Sequence, residues 1–217
     1  MTTATGRTQR ILALSDVVDE VANGPGARER FGDVDLVIGC GDLPYDYLDR
    51  VATSLGAPLV AVHGNHDVPP ERADDPHIPM WWRHIDLHGR VVERNGLVLA
   101  GLGGSPVYNK GPFQYSEADL WLQILRQAPR LLLNRLRRGR ALDILVTHAP
   151  PRGIHDLPDR AHLGFTSVRW FLRIFRPRYH FHGHIHIYDG RTVSRTDFGD
   201  TTVLNAYGAR ELQIDAR

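Results

Sequence analysis

The chain has 217 residues, of which 42% are hydrophobic and 24% charged, and its net charge is +1 at neutral pH. A chain of this length can bury one large core, and the composition is that of an ordinary globular protein. Because the charges nearly balance, bulk electrostatics gives no reason to expect a polyanionic partner. Cys40 is the single cysteine, which excludes a disulfide framework and a cysteine-rich zinc site.

The sequence shows no targeting segment and no internal boundary. Its N-terminus, MTTATGRTQR, has no apolar core of a secretory signal, and no apolar run approaches the ~18 residues of a membrane span. We therefore expect a cytoplasmic protein without a membrane partner. No repeat or linker divides the chain, so we expect one domain over residues 1–217, with residues 1–8 as a flexible tail.

Five short apolar, β-branched runs end in Asp, Asn or His, and each run predicts a strand. In chain order these are RILALSD ending at Asp16, VDLVIGCGD ending at Asp42, PLVAVHGNHD ending at Asn65–Asp67, DILVTHAPP with His148, and YHFHGHIH with His184 and His186. In α/β sheets, sites form beyond the carboxyl ends of strands. Five polar strand ends therefore predict one shared site.

The segments between and after these runs predict helices and hairpins. Ser116 and Asp119 have capping-box spacing ahead of an apolar run, which predicts a helix from Ser116 to about Arg138. Asn95-Gly96 between two apolar runs predicts a hairpin, and a second hairpin is expected to turn near Gly199. Strands alternating with helices, followed by hairpins, indicate an α/β fold with mixed sheets. The arginines of RLRRGR (135–140) fit the last turn of that helix better than a nucleic-acid surface.

The segment RYHFHGHIHIYDG carries four histidines at every second position, from His180 to His186. In a continuous strand this spacing would place all four on one face. Asp, Asn and His without thiolate suit Mn, Fe, Zn or Ni better than a purely oxygen-ligated Ca or Mg site. A metal would explain this histidine run if other parts of the chain supply partners for it, and we expect His180 and His182 to lie within the strand as hydrogen-bonded residues.

Five motifs occur in order along the chain: SDVVDE, GCGD, HGNHD, THAPP and HGHIH. They correspond to D-x-H, G-D, G-N-H-[DE], H and G-H-x-H, except that Val18 replaces the histidine of the first. Over residues 11–187 this set resembles the calcineurin-like metallophosphoesterase superfamily. The resemblance implies a four-layer αββα sandwich, with two mixed β-sheets flanked by helices and metals at the rim. It also implies a phosphatase or phosphodiesterase that hydrolyses phosphomonoester or phosphodiester bonds through a binuclear metal centre and a metal-bound hydroxide.

The resemblance further implies roles for eight residues of this chain. The ligands of two divalent ions would be Asp16, Asp42 and His186 for the first metal, and Asn65, His148 and His184 for the second. Asp42 would also bridge to the second metal. His66 would stabilise the phosphoryl charge or protonate the leaving oxygen, and Asp67 would orient His66.

Val18 stands where the first motif of the superfamily has its histidine. Three outcomes are open: a water takes the position, Asp19 or Glu20 supplies a carboxylate, or the first site is empty. Acidic residues here also fit the first turn of a following helix, and we favour that interpretation. We therefore expect a weakened two-metal enzyme. The alternatives are a non-enzymatic interaction module that retains the fold, and a one-metal hydrolase.

Two loops are candidates for substrate recognition, because loops beside a rigid site determine specificity. They are PVYNKGPFQYSE (106–117) and PPRGIHDLPDRAHLG (150–164). In the second loop we rank Arg152 and His155 first. The expected partner is a small phosphorylated substrate, and the sequence leaves homo-oligomer formation open.

Overall fold

A computed structural model of the chain describes residues 8–68, 82–189 and 192–215. The strands of this part form a four-stranded sheet, a six-stranded sheet and a short two-stranded pair. In chain order the elements are β1 (Thr8–Ser15), α1 (Glu20–Asn23), α2 (Ala27–Phe31), β2 (Leu36–Gly39), α3 (Tyr45–Leu55), β3 (Leu59–Ala61), α4 (Trp82–Ile85), β4 (Val91–Arg94), β5 (Leu97–Leu102), β6 (Ser105–Pro106), β7 (Gln114–Tyr115), α5 (Glu117–Arg138), β8 (Ile144–Thr147), α6 (Thr166–Phe175), β9 (Tyr179–His182), β10 (Arg195–Phe198), β11 (Thr201–Asn205) and β12 (Gly208–Asp215). Of the tail expected over residues 1–8, only Thr8 is described, and it begins β1.

Both large sheets are mixed, as the sequence predicted. The first has the order β12-β1-β2-β3, in which β1, β2 and β3 are parallel and β12 is antiparallel at the edge. The second has the order β10-β11-β9-β8-β5-β4, with four parallel central strands and antiparallel strands at both edges. The parallel strands of each sheet therefore bring their carboxyl ends to a common edge.

Three apolar clusters define four layers. One cluster lies between the two sheets and includes Ile38 from β2 and Phe181 from β9. A second packs α1, α2 and α3 on the outer face of the first sheet, and a third packs α5 and α6 on the second sheet. The result is the αββα sandwich expected from the resemblance.

Local sequence signals explain several elements directly. Asn95 and Gly96 adopt φ of 52° and 80° between the antiparallel strands β4 and β5, and Gly199 has φ of 60° between β10 and β11. Ser116 caps α5 through the complete capping box with Asp119. Both hairpins and the helix lie where the sequence predicted them.

The strands end before the polar residues of the site, and the backbone then turns sharply. Asp16, Asp42 and His184 have φ of 65°, 57° and 67°. Non-glycine residues in this region cost roughly 1–3 kcal/mol each and are typical of functional sites. Because β9 ends at His182, His180 and His182 lie in the strand while His184 and His186 follow it.

Among the described helices, none is long and apolar enough to cross a membrane.

Candidate metal centre

The polar residues after five strands meet where the carboxyl ends of the two sheets adjoin. Those that follow four of the five strands line a cleft of about 300 Å³. The residues that line it are Asp16, Asp42, Asn65, His66, Tyr108, Ala161, His162, His184 and His186. Four of the five strand ends predicted to share a site therefore line one cleft, and the buried His148 at the fifth lies 3.3 Å from Asp42.

His148 is fully buried, and its two ring nitrogens have different partners: one contacts the backbone and the other the side chains of the cleft. Its Nδ1–H donates to the Cys40 carbonyl at 2.8 Å, which directs Nε2 inward. Nε2 lies 3.3 Å from Asp42 Oδ2 and 3.1 Å from Asn65 Oδ1. Burial alone would lower the pKa of His148, but the nearby carboxylates of Asp42 and Asp16 raise it to about 9. The carboxylates around His148 Nε2 therefore favour a positive charge at this place.

His184 has the complementary arrangement. Its Nε2–H donates to the Ala161 carbonyl at 2.8 Å, so Nδ1 is left without a proton and lies 3.2 Å from His148 Nε2. Burial, and then the neighbouring His148, lower the pKa of His184 to about 3. Ligand atoms of Asp42, His148 and His184 all lie within 4.8 Å of one another. Converging nitrogen and oxygen acceptors of this kind fit a divalent cation.

Two side-chain oxygens, Asn65 Oδ1 and Asp42 Oδ2, also lie close to His148 Nε2. Asn65 donates from Nδ2 to the Tyr108 hydroxyl at 3.1 Å, which directs its Oδ1 towards His148. Asp42 accepts the His66 backbone N–H at Oδ1, at 2.8 Å, and presents Oδ2 to His148. Burial opposes ionisation of Asp42, but His148 and that backbone N–H lower its pKa below the usual range. Asp42 is therefore an ionised carboxylate.

The other half of the centre is more open. The buried carboxylate of Asp16 accepts the His184 backbone N–H at both oxygens, at 3.1 and 3.0 Å. His186 Nε2 lies 3.8 Å from Asp16 Oδ1, and its Nδ1 lies 2.6 Å from the Tyr188 hydroxyl. With 42% of its side chain exposed, His186 borders solvent. The donors available on this side are Asp16, His186 and Asp42.

Val18 is not among the residues that line the cleft, and its half-buried side chain packs against the apolar cluster beneath α1–α3. Asp19 caps α1, and its Oδ1 accepts the Ala22 backbone N–H at 3.0 Å. Glu20 occupies the first turn and is exposed. The helix-terminus interpretation of these acids is therefore confirmed.

Two glycines allow the motif loops to approach one another. A Cβ atom on Gly64 would lie 2.0 Å from Asp42 Oδ1, and one on Gly183 would lie 1.8 Å from Ser15 Oγ. Neither contact is sterically tolerable. The glycines before Asn65 and His184 are thus required for the ligands to converge.

Asp67 connects two of these loops. Its Oδ2 accepts the backbone N–H groups of Gly64 at 2.7 Å and Asp42 at 3.1 Å. Burial and the Asp42 charge raise the pKa of Asp67 to about 7. Within residues 8–68, the described hydrogen bonds of this carboxylate go to those amides and not to the His66 ring. The His66 side chain itself is exposed and lines the cleft.

The two residues ranked first for substrate recognition have partners elsewhere. His155 donates from Nδ1 to His182 Nε2 at 2.8 Å, and its Nε2 accepts from Thr196 Oγ1 at 2.9 Å. Arg152 Nε lies 3.7 Å from Asp156 Oδ2. Neither residue lines the cleft. His182 is buried in β9 and hydrogen-bonded, as expected.

His180 meets the same expectation. It is fully buried in β9, and its Nε2–H donates to Thr147 Oγ1 at 2.9 Å, since that hydroxyl itself donates to the Ala149 carbonyl.

Tyr108 and His162 line the cleft instead, one from each loop that the sequence indicated. His162 Nδ1 lies 2.8 Å from Asp159 Oδ1. The loops could be identified because they follow strand ends. The particular side chains could not, because the path of an irregular loop decides which residue faces inward.

Comparison with known proteins agrees with this geometry. A family model described as calcineurin-like phosphoesterase matches residues 8–188. No curated protein sequence matches the chain. The crystal structure of TT1561 from Thermus thermophilus is similar, with a TM-score of 0.60, 14% identity, and coverage of 97% of this chain and 100% of that one. A phosphatase structure from Mycoplasma pneumoniae has a TM-score of 0.50 and 12% identity, covering 93% of this chain and 73% of that one.

The likeness to both structures concerns the fold, because the identities are low. The family model covers most of the chain and includes all five polar strand ends. This chain therefore belongs to the calcineurin-like phosphoesterase family.

Proposed function

We propose that the protein is a metal-dependent hydrolase of phosphomonoesters or phosphodiesters with a binuclear metal centre. The observation that carries this proposal is the convergence of His148 Nε2 and His184 Nδ1, 3.2 Å apart, beside the ionised Asp42. Each ring is oriented by a backbone carbonyl, as is common for metal-bound histidines. Mn, Fe, Zn and Ni fit this donor set.

The residues divide naturally between two ions. Asn65, His148 and His184 would hold one, Asp16 and His186 the other, and Asp42 would bridge them. When bound, the ions supply polarisation of the phosphoryl oxygens and a nucleophile derived from water. The second site has the more buried and more fully oriented ligands, so we expect it to bind its metal more tightly.

The chain's own side chains would handle the substrate and the leaving group. The exposed ring of His66 lies at the cleft, where it can stabilise phosphoryl charge or give a proton to the leaving oxygen. Asp67 would act on His66 indirectly, by fixing the loop that carries it to the Asp42 loop. Tyr108 would orient Asn65 through its hydroxyl. The cleft of about 300 Å³ suits a small phosphorylated substrate. We propose that the protein acts on it in the cytoplasm.

The alternative is a non-enzymatic interaction module that retains the fold. Val18 favours it, because one imidazole ligand is absent and no described carboxylate has replaced it. The alternative predicts no metal-dependent hydrolysis, while the enzyme predicts saturable activation by metal.

The decisive experiment is hydrolysis of a chromogenic phosphodiester by metal-stripped protein titrated with Mn²⁺, repeated with a monoester and with Zn, Ni and anaerobic Fe. We expect a rate that rises with metal and saturates. His148→Ala should abolish it, while His84→Ala, an exposed histidine outside the cleft, should not. Absence of a rate with every metal and both substrates would contradict the hydrolase and favour the interaction module.

A further inference from the structure

Helix α5 has a second apolar face that points away from the core. Its buried residues are Leu120, Ile124, Gln127 and Leu131. Five leucines on its outer side are exposed: Leu122, Leu125, Leu132, Leu133 and Leu136. Leu136 is 84% and Leu125 is 63% exposed. At 100° per residue these five lie opposite the buried face.

The neighbouring helix extends this apolar area. α6 packs beside α5, and Arg135 Nη1 donates to the Ile174 carbonyl at 3.3 Å. Trp170 and Ile174 are also exposed. We call the five leucines together with Trp170 and Ile174 the outer helical surface. Exposed apolar side chains grouped on adjacent helices are typical of interaction sites.

The charges around this surface are strongly one-sided. Residues 120–138 contain five arginines and no acid, and α6 contains two arginines and no acid. On one flank, α5 and β4 border a groove of about 560 Å³ lined by Arg90, Arg94, Arg126 and Arg130. The one acid that lines it, Glu93, is bound by Arg138 at 2.7 Å.

This combination of apolar and basic groups selects the kind of partner. A second copy of the chain would bring two arginine-rich faces together, which like-charge repulsion opposes. An anionic bilayer offers a hydrocarbon boundary to the leucines and phosphate groups to the arginines at the same time. A tryptophan at the edge of an apolar face is also typical of a membrane–water interface.

We propose that the outer helical surface docks on an anionic lipid membrane, with α5 lying in the interface. The proposal is independent of the phosphoesterase activity. It differs from the expectation of no membrane partner, which rested on the absence of a spanning segment. A helix that lies on the surface needs no such segment.

The test is co-sedimentation of the full chain with vesicles of phosphatidylcholine alone or mixed equally with phosphatidylglycerol. We expect binding to the mixed vesicles that falls with added salt. Arg126→Gln with Arg130→Gln should weaken it about thirtyfold, since each basic group near an anionic surface contributes about one kcal/mol. Leu125→Ser with Leu136→Ser should also weaken it. The leucines are exposed, so these variants should fold.

Matched controls lie on other faces of the molecule. Arg28→Gln with Arg30→Gln changes two exposed arginines on α2, in the opposite helical layer, and Leu157→Ser changes an exposed leucine in a loop. Both should bind vesicles like the wild type. Equal binding to phosphatidylcholine alone, no binding to mixed vesicles, or a dimer in lipid-free solution that the leucine variant dissociates would each overturn the proposal.

Discussion

His148 and His184 show how single residues link the fold to the centre. In each ring one nitrogen donates to a backbone carbonyl, of Cys40 or Ala161, and the other faces the cleft. The carbonyls come from different parts of the chain and fix the tautomer of each ring. The geometry of the centre therefore depends on backbone carbonyls, and that of Ala161 lies outside every motif.

Tyr108 provides a test of this dependence. Tyr108→Phe removes the hydroxyl that accepts from Asn65, so the Asn65 amide can rotate. Loss of such a supporting hydrogen bond typically costs about 10–100-fold in metal affinity. We expect a decrease of this size in metal affinity at the proposed site of Asn65, His148 and His184, measured by calorimetric titration. Tyr179→Phe in β9 should leave that affinity unchanged, and an unchanged value for Tyr108→Phe would contradict the proposed orientation of Asn65.

Val18 is a second residue whose effect can be isolated. Val18→His restores an imidazole two residues after Asp16, and it should lower the Mn²⁺ concentration needed for half-maximal hydrolysis. The control is Val17→His, because Val17 is the exposed neighbour on the same turn. If both variants require as much Mn²⁺ as the wild type, the missing ligand does not limit the first site.

At the scale of elements, local signals decided where chain segments begin and turn. The capping box of Ser116 and Asp119, and the left-handed pair Asn95-Gly96, are short-range features, so they were predictable. The end of β9 at His182 could not be predicted from such local features. The turn at Gly183 and His184 is stabilised by the Asp16 carboxylate, which lies far away in sequence and accepts the His184 N–H.

Removing the cap of α5 gives a prediction for one element. Ser116→Ala leaves the Asp119 backbone N–H without its side-chain acceptor. We expect a loss of about 1 kcal/mol in the free energy of unfolding, measured by urea denaturation. Ser54→Ala, at an exposed position within α3, should cost nothing or stabilise slightly. Equal effects of the two changes would show that the cap contributes no stability.

At the scale of the whole molecule, the apolar cluster between the sheets sets the relative position of the two halves of the centre. Asp16, Asp42 and Asn65 follow strands of the first sheet, while His148 and His184 follow strands of the second. Packing between the sheets therefore brings the candidate ligands together.

Leu99 lies in this cluster with no exposed surface. Leu99→Ala should lower the free energy of unfolding by about 2–5 kcal/mol, through lost burial and a residual cavity. Leu136→Ala makes the same chemical change at an exposed position and should have little effect. Urea denaturation of both variants measures the difference, and comparable losses would mean that the cluster is not tightly packed.

Buried neutral histidines should make stability depend on pH. Burial lowers the pKa of His88 to about 4, and its Nδ1 accepts the Gly103 N–H at 2.9 Å. The unfolded chain takes up this proton as pH falls below about 6.5, and the folded chain resists it. Stability is therefore fully present above that pH and falls as pH approaches 4.

We expect His88 to contribute at most about 3 kcal/mol to this decrease. His88→Gln keeps an acceptor for Gly103 without the titration, so it should reduce the slope of unfolding free energy against pH between about 4 and 6.5. An unchanged slope would show that His88 does not titrate differently in the folded and unfolded states.

The sequence by itself determined the mixed α/β architecture, both hairpins, α5 and the residues after five strand ends. Apolar periodicity, turn residues and motif spacing are properties of neighbouring positions, so they can be read without coordinates. Only the tertiary structure decided that Tyr108 and His162 face the cleft, while Arg152 and His155 bond elsewhere. It also decided which apolar face of α5 meets the core and which meets solvent. These outcomes depend on contacts between segments distant in sequence, which packing alone brings together.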